Sequence, residues 1–155
     1  LVQLSDLMRH VIYESDTDFI SLEKELEMIQ NYIAMQNLRS VDDKNIVFNI
    51  EGDINGKKIA PLLFLPFLEN SFKHGVKGGA SNSVVTINLK VSDKDLRFDI
   101  ENSKGQPTDL FATKYNGIGI ENVRKRLELI YPDRHQLKIS DSENKFKVHL
   151  HIEMK

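Results

Sequence analysis

Apolar positions along this chain change period several times, and those changes divide it into elements. From Leu1 to Tyr13 they fall at 1, 4, 7, 8, 11 and 12, a helical spacing that predicts the end of a helix begun upstream. Asp16 to Asp18 breaks it. Ser21 is placed to cap a second helix, with Lys24 and Glu25 in its first turn. The stripe Leu22, Leu26, Ile29, Ile33 and Gln36 carries that helix to about Leu38 or Arg39. Two amphipathic helices joined by a short polar link predict the tail of a helical hairpin or a connector. Their stripes need a partner, either the domain that follows or a second copy of the chain.

From Asn45 the period becomes two. Ile46, Phe48 and Ile50 alternate with polar neighbours and predict a strand with one buried face. Glu51 to Lys58, with Gly52 and Gly56, reads as a turn. Leu62 to Gly79 then predicts a helix with Phe64, Phe67, Leu68, Ser71 and Phe72 inward. Pro66 belongs in its first turn, since deeper placement would cost about 3 kcal/mol. Gly75, Gly78 and Gly79 are expected to end it. Val85 to Val91 and Leu96 to Ile100 alternate around a turn at Ser92–Asp95 and predict an antiparallel hairpin. Asn102 to Asn116 is aperiodic and long enough for a lid or binding loop. Gly117 and Gly119 precede a helix with Ile120, Val123, Leu127 and Ile130 inward and Pro132 at its end. Two more strands follow, with Leu137 and Ile139 on one and Phe146, Val148, Leu150 and Ile152 on the other. The expected fold is α+β, a two-layer sandwich of an antiparallel sheet with helices on one face, preceded by helices.

Two stretches carry chemistry. Asn70, Lys73, His74 and Lys77 stand three or four residues apart on the polar side of the Leu62–Gly79 helix, so their side chains can converge. A carboxamide, an ammonium and an imidazole beside glycine backbone suit a metal-bound polyphosphate. Any half-buried helix shows one apolar and one polar face, however, so this pattern alone decides little. Gly117 and Gly119 before a helix place bare backbone amides at its positive end, where anions bind. A GxG turn often only fits a tight corner, and Arg124 and Arg126 alone read as solvated.

Composition narrows the classes. At 155 residues the chain is long enough for one domain with a proper core and an appended element. A formal net charge of −2 argues against general nucleic-acid binding, and the absence of cysteine excludes disulfides and thiolate chemistry. No apolar run approaches the roughly 20 residues that span a bilayer. The chain opens on Leu1 without a signal-peptide pattern and is expected to be a piece of a longer protein.

PLLFLPFLENSFKHG followed by NGIGIENVRKRLELIY resembles the N box and G box of the histidine-kinase ATP-binding domain, in the form carried by LytS-like bacterial sensor kinases. The usual strings there are close to P-L-V-E-N-A-I-K-H-G and G-I-G-L-x-N-V-R-x-R-L. SLEKELEMIQNYIAMQNLRS likewise resembles the helix such kinases carry before their catalytic domain, so the resemblance runs from about Leu4 onward. It implies the Bergerat-type fold of the gyrase and histidine-kinase ATPases, a mixed sheet with ATP held between helices under a lid. Carried over, Asn70 becomes the Mg²⁺ ligand, with Lys73 and His74 near the phosphates. Gly117 and Gly119 flank the lid, and Arg124 has a phosphate role. The resemblance further implies residues 1–41 as the end of the dimerisation region and 42–155 as the catalytic domain. It also implies a homodimer formed through upstream helices, a response regulator of the LytTR type, and a cytoplasmic place in an inner-membrane sensor of a bacterium.

The sequence departs from that pattern in two places. The usual DxGxG aspartate that meets adenine is replaced; in-out alternation from Ile100 puts Asn102 there, with Glu101 the alternative if the register slips by one. Pro66 occupies the position that hydrolysing relatives fill with a polar general base, which favours phosphoryl transfer. Glu69 remains a candidate base, or an ordinary exposed carboxylate. None of the histidines at 10, 74, 135, 149 and 151 lies in the family's P-H-F-x-F-N acceptor string, so the acceptor is expected upstream of Leu1. His135 reads as a loop residue, and His149 and His151 as solvent-facing. The rival readings are an ATP-gated switch or ATPase of the same fold, and a pseudokinase that serves as an interaction module.

Overall fold

The computed structural model describes residues 19–39, 45–72, 84–103 and 116–154. The helix expected at 1–13, the break at 16–18, Lys73, His74, Lys77, the glycines at 75, 78 and 79, and lid residues 104–115 lie outside them. In chain order the elements are β1 (Ile20–Ser21), α1 (Leu22–Arg39), β2 (Asn45–Glu51), β3 (Lys58–Ile59), α2 (Leu65–Ser71), β4 (Val84–Val91), β5 (Asp95–Ser103), α3 (Asn116–Ile130), β6 (His135–Asp141) and β7 (Lys145–Glu153). They fall into two compact units, 19–39 with 54–65 and 45–53 with 66–154.

In the first unit Ser21 caps α1 as expected, its Oγ accepting the Lys24 N–H at 3.3 Å. The buried face of α1 is Leu22, Glu25, Leu26, Ile29 and Tyr32, with Ile33 and Gln36 only half-buried. The inward stripe is therefore turned from the expected one, and it includes a carboxylate. Glu25 is 1 % exposed. Its two oxygens accept the backbone N–H groups of Leu62 at 3.1 Å and Leu63 at 3.0 Å. The same segment is held to the start of α1 by antiparallel pairing of β1 with β3 and by the Leu22 N–H, which donates to the Lys57 carbonyl at 2.9 Å. These contacts group Ile54–Leu65 with α1. Leu62 sits at φ 59°, the left-handed region. That strain costs a leucine about 1–2 kcal/mol. Hydrogen bonds to a charged acceptor contribute about 1.5–3 kcal/mol each, so the Glu25 pair more than offsets it.

The second unit is built on a five-stranded sheet of order β2-β4-β5-β7-β6. β2 runs parallel to β4 and every other neighbouring pair is antiparallel. The sheet is thus mixed and mostly antiparallel, as the resemblance implied, though alternation alone reads only as antiparallel strands. A long crossover separates β2 from β4, and only such a connection permits a parallel pair. Val85, Ile87, Leu89 and Val91, Leu96, Phe98 and Ile100, and Phe146, Val148, Leu150 and Ile152 form one apolar face, all buried. α2 packs on it through Phe67, whose ring lies 6.3 Å from that of Phe98 at a 36° tilt. α3 buries Val123 and Leu127, and Tyr131 beyond its end is buried too. β2 is an edge strand, so Ile46 and Phe48 are only half-buried and Ile50 is exposed, short of the buried face expected there.

The other sheet face is polar. His149 Nδ1 meets the Asp99 carboxylate, and His151 Nε2 lies 2.8 Å from Asp95, so both imidazoles are partly buried against carboxylates rather than simply facing solvent. His135 opens β6 instead of lying in a loop, its Nδ1 2.7 Å from the Tyr131 carbonyl. With the helices on the apolar face and this polar face opposite, the unit is the expected two-layer α+β sandwich.

After β2 the chain turns at Gly52, at φ 102°, where a Cβ would sit 1.8 Å from the Val91 carbonyl oxygen. Gly52→Ala is expected to lower the unfolding free energy by about 1–3 kcal/mol in urea titrations. A loss indistinguishable from zero would mean that this close approach is not maintained in solution.

Candidate functional site

α2 is described over Leu65–Ser71, and packing of its apolar side chains holds it in place. Phe67, Leu68, Ser71 and Phe72 are buried, the inward face expected of them. Pro66 lies in the first turn, where its missing N–H is harmless. Asn70, expected on a polar face, is only 7 % exposed. Helical rotation explains the difference. Asn70 stands one turn beyond Phe67, and with Phe67 held against the sheet that turn is covered on nearly every side. Glu69 beside it is half-buried.

Three buried side-chain oxygens of the described residues have no hydrogen-bond partner: Asn70 Oδ1, Ser71 Oγ and Asn102 Oδ1. Each such orphan costs about 1–3 kcal/mol, so it needs a reason. Asn102 is fully buried near the end of β5, on the same face as Phe98 and Ile100, as alternation predicted. Its Nδ2 donates to the Ser103 carbonyl at 3.3 Å, leaving the amide oxygen without a donor. Glu101 lies on the opposite face, 3.1 Å from Lys145 Nζ and 3.7 Å from Lys147 Nζ. The slipped register that would have exchanged Glu101 for Asn102 is not the one adopted. Ser71 is the polar group that sequence reading missed, having been counted with the apolar face.

Gly117 and Gly119 lie inside the first turn of α3 rather than before the helix. Gly119 is exposed, and a Cβ on it would meet Pro66 Cβ at 3.8 Å, an ordinary contact. The first turns of α2 and α3 are therefore neighbours. Packing does not demand a glycine at 119, but its missing side chain leaves the first-turn backbone open to approach. That turn carries amides without intrahelical partners and the positive end of a 15-residue helix. Arg124 stands exposed farther along α3.

The structure thus sets the first turn of α3 against Pro66 of α2, the helix that carries Glu69 and Asn70, and places Asn102 on the sheet face that α2 packs against. Among the described residues no group of three or more His, Asp or Glu side chains could hold a metal by itself. A cation at Asn70 would take further ligands from phosphate oxygens and water, which is the habit of Mg²⁺. A carboxamide oxygen is a suitable hard ligand for it. The Asn102 oxygen suits a ring-amino donor, and the α3 start suits phosphate. These donors fit a metal-bound nucleoside triphosphate.

Comparison with known proteins bears on the fold. A family model described as histidine kinase matches residues 1–44. The sensor protein LytS of Oceanobacillus iheyensis is 27 % identical over 155 residues, covering 92 % of this chain and 26 % of its own length. Among solved structures, the catalytic domain of histidine kinase ThkA matches with TM-score 0.60 at 15 % identity, over 89 % of this chain and 99 % of that one. ThkA in complex with the response regulator protein TrrA matches with TM-score 0.51 at 13 % identity, over 99 % of this chain and 48 % of that one. Full-length ShkA in complex with AMPPNP gives TM-score 0.60 at 13 % identity, over 89 % of this chain and 31 % of that one. The chain has the fold of histidine-kinase catalytic domains and resembles the LytS-like sensor kinases along most of its length. It spans about a quarter of the length of the curated relatives it matches.

If the Asn70 oxygen awaits a ligand, Asn70→Leu removes an orphan and should leave the ligand-free protein within about 1 kcal/mol of the parent, or more stable. Chemical denaturation without nucleotide checks this. A loss near 3 kcal/mol would make Asn70 a structural residue.

Proposed function

We propose that this chain is the ATP-binding catalytic portion of a two-component sensor histidine kinase, which passes the γ-phosphoryl of ATP to a histidine and thence to a response regulator. The observation that carries the reading is the pair of buried carboxamide oxygens without partners, Asn70 on α2 and Asn102 on β5, in a histidine-kinase catalytic fold. AMPPNP in ShkA and TrrA on ThkA support nucleotide and response regulator as the two partners. Residues 42–155 are assigned to the catalytic domain and 1–41 to the end of the dimerisation region, through which the intact protein would form a homodimer. The acceptor histidine is placed upstream of Leu1. The regulator is assigned to the LytTR type on the likeness to LytS.

Asn70 would hold the metal through its amide oxygen, and Asn102 would accept from the adenine amino group. Lys73, His74, Arg124 and the amides at Gly117 and Gly119 hold the phosphates. Mg²⁺, when bound, would supply neutralisation of the charge on the phosphates. Pro66 presents no proton acceptor, so no side chain at that position activates water and the phosphoryl group is kept for an imidazole. Glu69, beside Asn70, is the remaining candidate base. No described helix is long and apolar enough to cross a membrane, and we assign the chain to the cytoplasmic side of a bacterial membrane sensor.

Calorimetric titration with ATP, with and without Mg²⁺, and with GTP as control tests the reading. Binding that prefers ATP and strengthens with Mg²⁺ is expected, and Asn70→Ala should abolish the Mg²⁺-dependent part. No binding at millimolar nucleotide would refute it. Asn102→Asp restores a charged acceptor and should tighten ATP while leaving GTP unchanged. An equal response of both nucleotides would remove Asn102 from the base site.

A further inference from the structure

The two edges of the five-stranded sheet differ in how they are guarded against another strand. β6, at one edge, exposes Lys138 and Asp141 along with Gln136 and Ser140. Charges on an edge strand discourage further pairing. β2, at the other edge, reads NIVFNIE and carries a single charge, Glu51, at its last position. Even that carboxylate has a cation in its own sheet, Lys90 Nζ at 3.7 Å. β2 holds no proline, and its register with β4 runs unbroken from Asn45–Val84 to Glu51–Lys90. Among the described residues β4 is its one ladder neighbour, so the outward half of the β2 backbone N–H and C=O groups meets no strand. The apolar side chains are open as well. Val47 is 41 % exposed and Ile50 39 %, and Ile46 and Phe48 are no more than half-buried. An edge of this kind accepts one more strand through main-chain hydrogen bonds.

The order of residues in β2 indicates which strand that is. Turned antiparallel on itself about Phe48, β2 sets Ile46 opposite Ile50, Phe48 opposite Phe48 and Val47 opposite Asn49. Even-numbered residues then face even-numbered ones, so the outward backbone groups of one copy meet those of the other. Ile46, Phe48 and Ile50 stand beside Val85, Ile87 and Leu89, which are buried, so the paired strands carry that apolar face from one sheet into the next. Glu51 stays at the ends of the pair and never meets its own copy. We propose that β2 is a pairing surface for a second copy of this chain, which joins two five-stranded sheets edge to edge across Phe48. This interface is separate from a homodimer through upstream helices, and it does not depend on the nucleotide reading. Seven residues a side fall short of a standard protein interface, so the association is weak and concentration-dependent.

The test uses the chain's lack of cysteine, which lets one introduced thiol cross-link only to its own copy. In Phe48→Cys the two thiols face each other across the pair, with Cα atoms about 4.5–5.5 Å apart, inside the range a disulfide spans. Light scattering follows the mass of the parent chain up to millimolar concentration. Disulfide formation is then compared between Phe48→Cys and Ser140→Cys on the β6 edge. Mass rising with concentration is expected, with cross-linking at 48 about tenfold faster than at 140. Val47→Lys combined with Asn49→Lys sets lysine opposite lysine on the exposed face and should weaken association about tenfold. Val47→Lys combined with Asn49→Glu sets opposite charges there and should restore it, which separates pairing from any loss of folding. A chain that stays monomeric overturns the proposal. So does a dimer that cross-links no faster at 48 than at 140, which would place self-association elsewhere. Equal association in the two charged variants overturns it as well.

Discussion

The candidate site depends on how α2 is seated against the sheet through Phe67. α2 exists because Phe67 seats against Phe98 at the middle of β5 while Leu68, Ser71 and Phe72 are buried around it. Burial gained by those side chains, roughly 1.5–3 kcal/mol for each large apolar one, is what fixes the helix. Once Phe67 is seated, helix geometry leaves Asn70 no choice but a nearly enclosed position. An amide oxygen is thereby held away from water and from any protein donor. The cost of that orphan is borne by the aromatic contact one turn earlier.

The same sheet face supplies the second orphan. β5 alternates so strictly that Leu96, Phe98, Ile100 and Asn102 all point toward the helical layer, and the last of these is an amide where its predecessors are hydrocarbon. Asn70 and Asn102 thus hold two buried carboxamide oxygens without partners, the observation on which the proposed metal and base roles rest. The first turn of α3 comes up to Pro66, with exposed Gly119 leaving the helix end uncovered. Placement, more than unusual residue types, makes the site.

The hydrogen bonds to Glu25 give the entrance to α2 a different character from its body. The body is held by apolar packing, which is non-directional and tolerates small shifts. The entrance is held by two directional hydrogen bonds to one carboxylate and by a leucine in left-handed conformation. Directional restraints either hold or break, whereas packing adjusts.

Much of this was legible in the residues. Helical period from Leu22, alternation from Val85, Leu96 and Phe146, the Ser21 cap and Pro66 in a first turn are local matters, decided by φ/ψ preference and by which side chains must leave water. Motif order carried the resemblance, and alternation put Asn102 on the face of Ile100 because strand period is fixed by backbone geometry. Other features were not local. Parallel pairing of β2 with β4 depends on which strands meet, and periodicity does not encode that. Burial of Asn70 depends on which side of α2 faces the sheet, and a polar residue next to Lys and His reads as exposed until the helix is rotated into place. Glu25 gave no signal, since a glutamate in the first turn of a helix is ordinarily a solvated partner of the dipole. Only the fold brought the Leu62 and Leu63 amides to it, because hydrogen bonds between residues so far apart in sequence form where tertiary packing has already joined the segments.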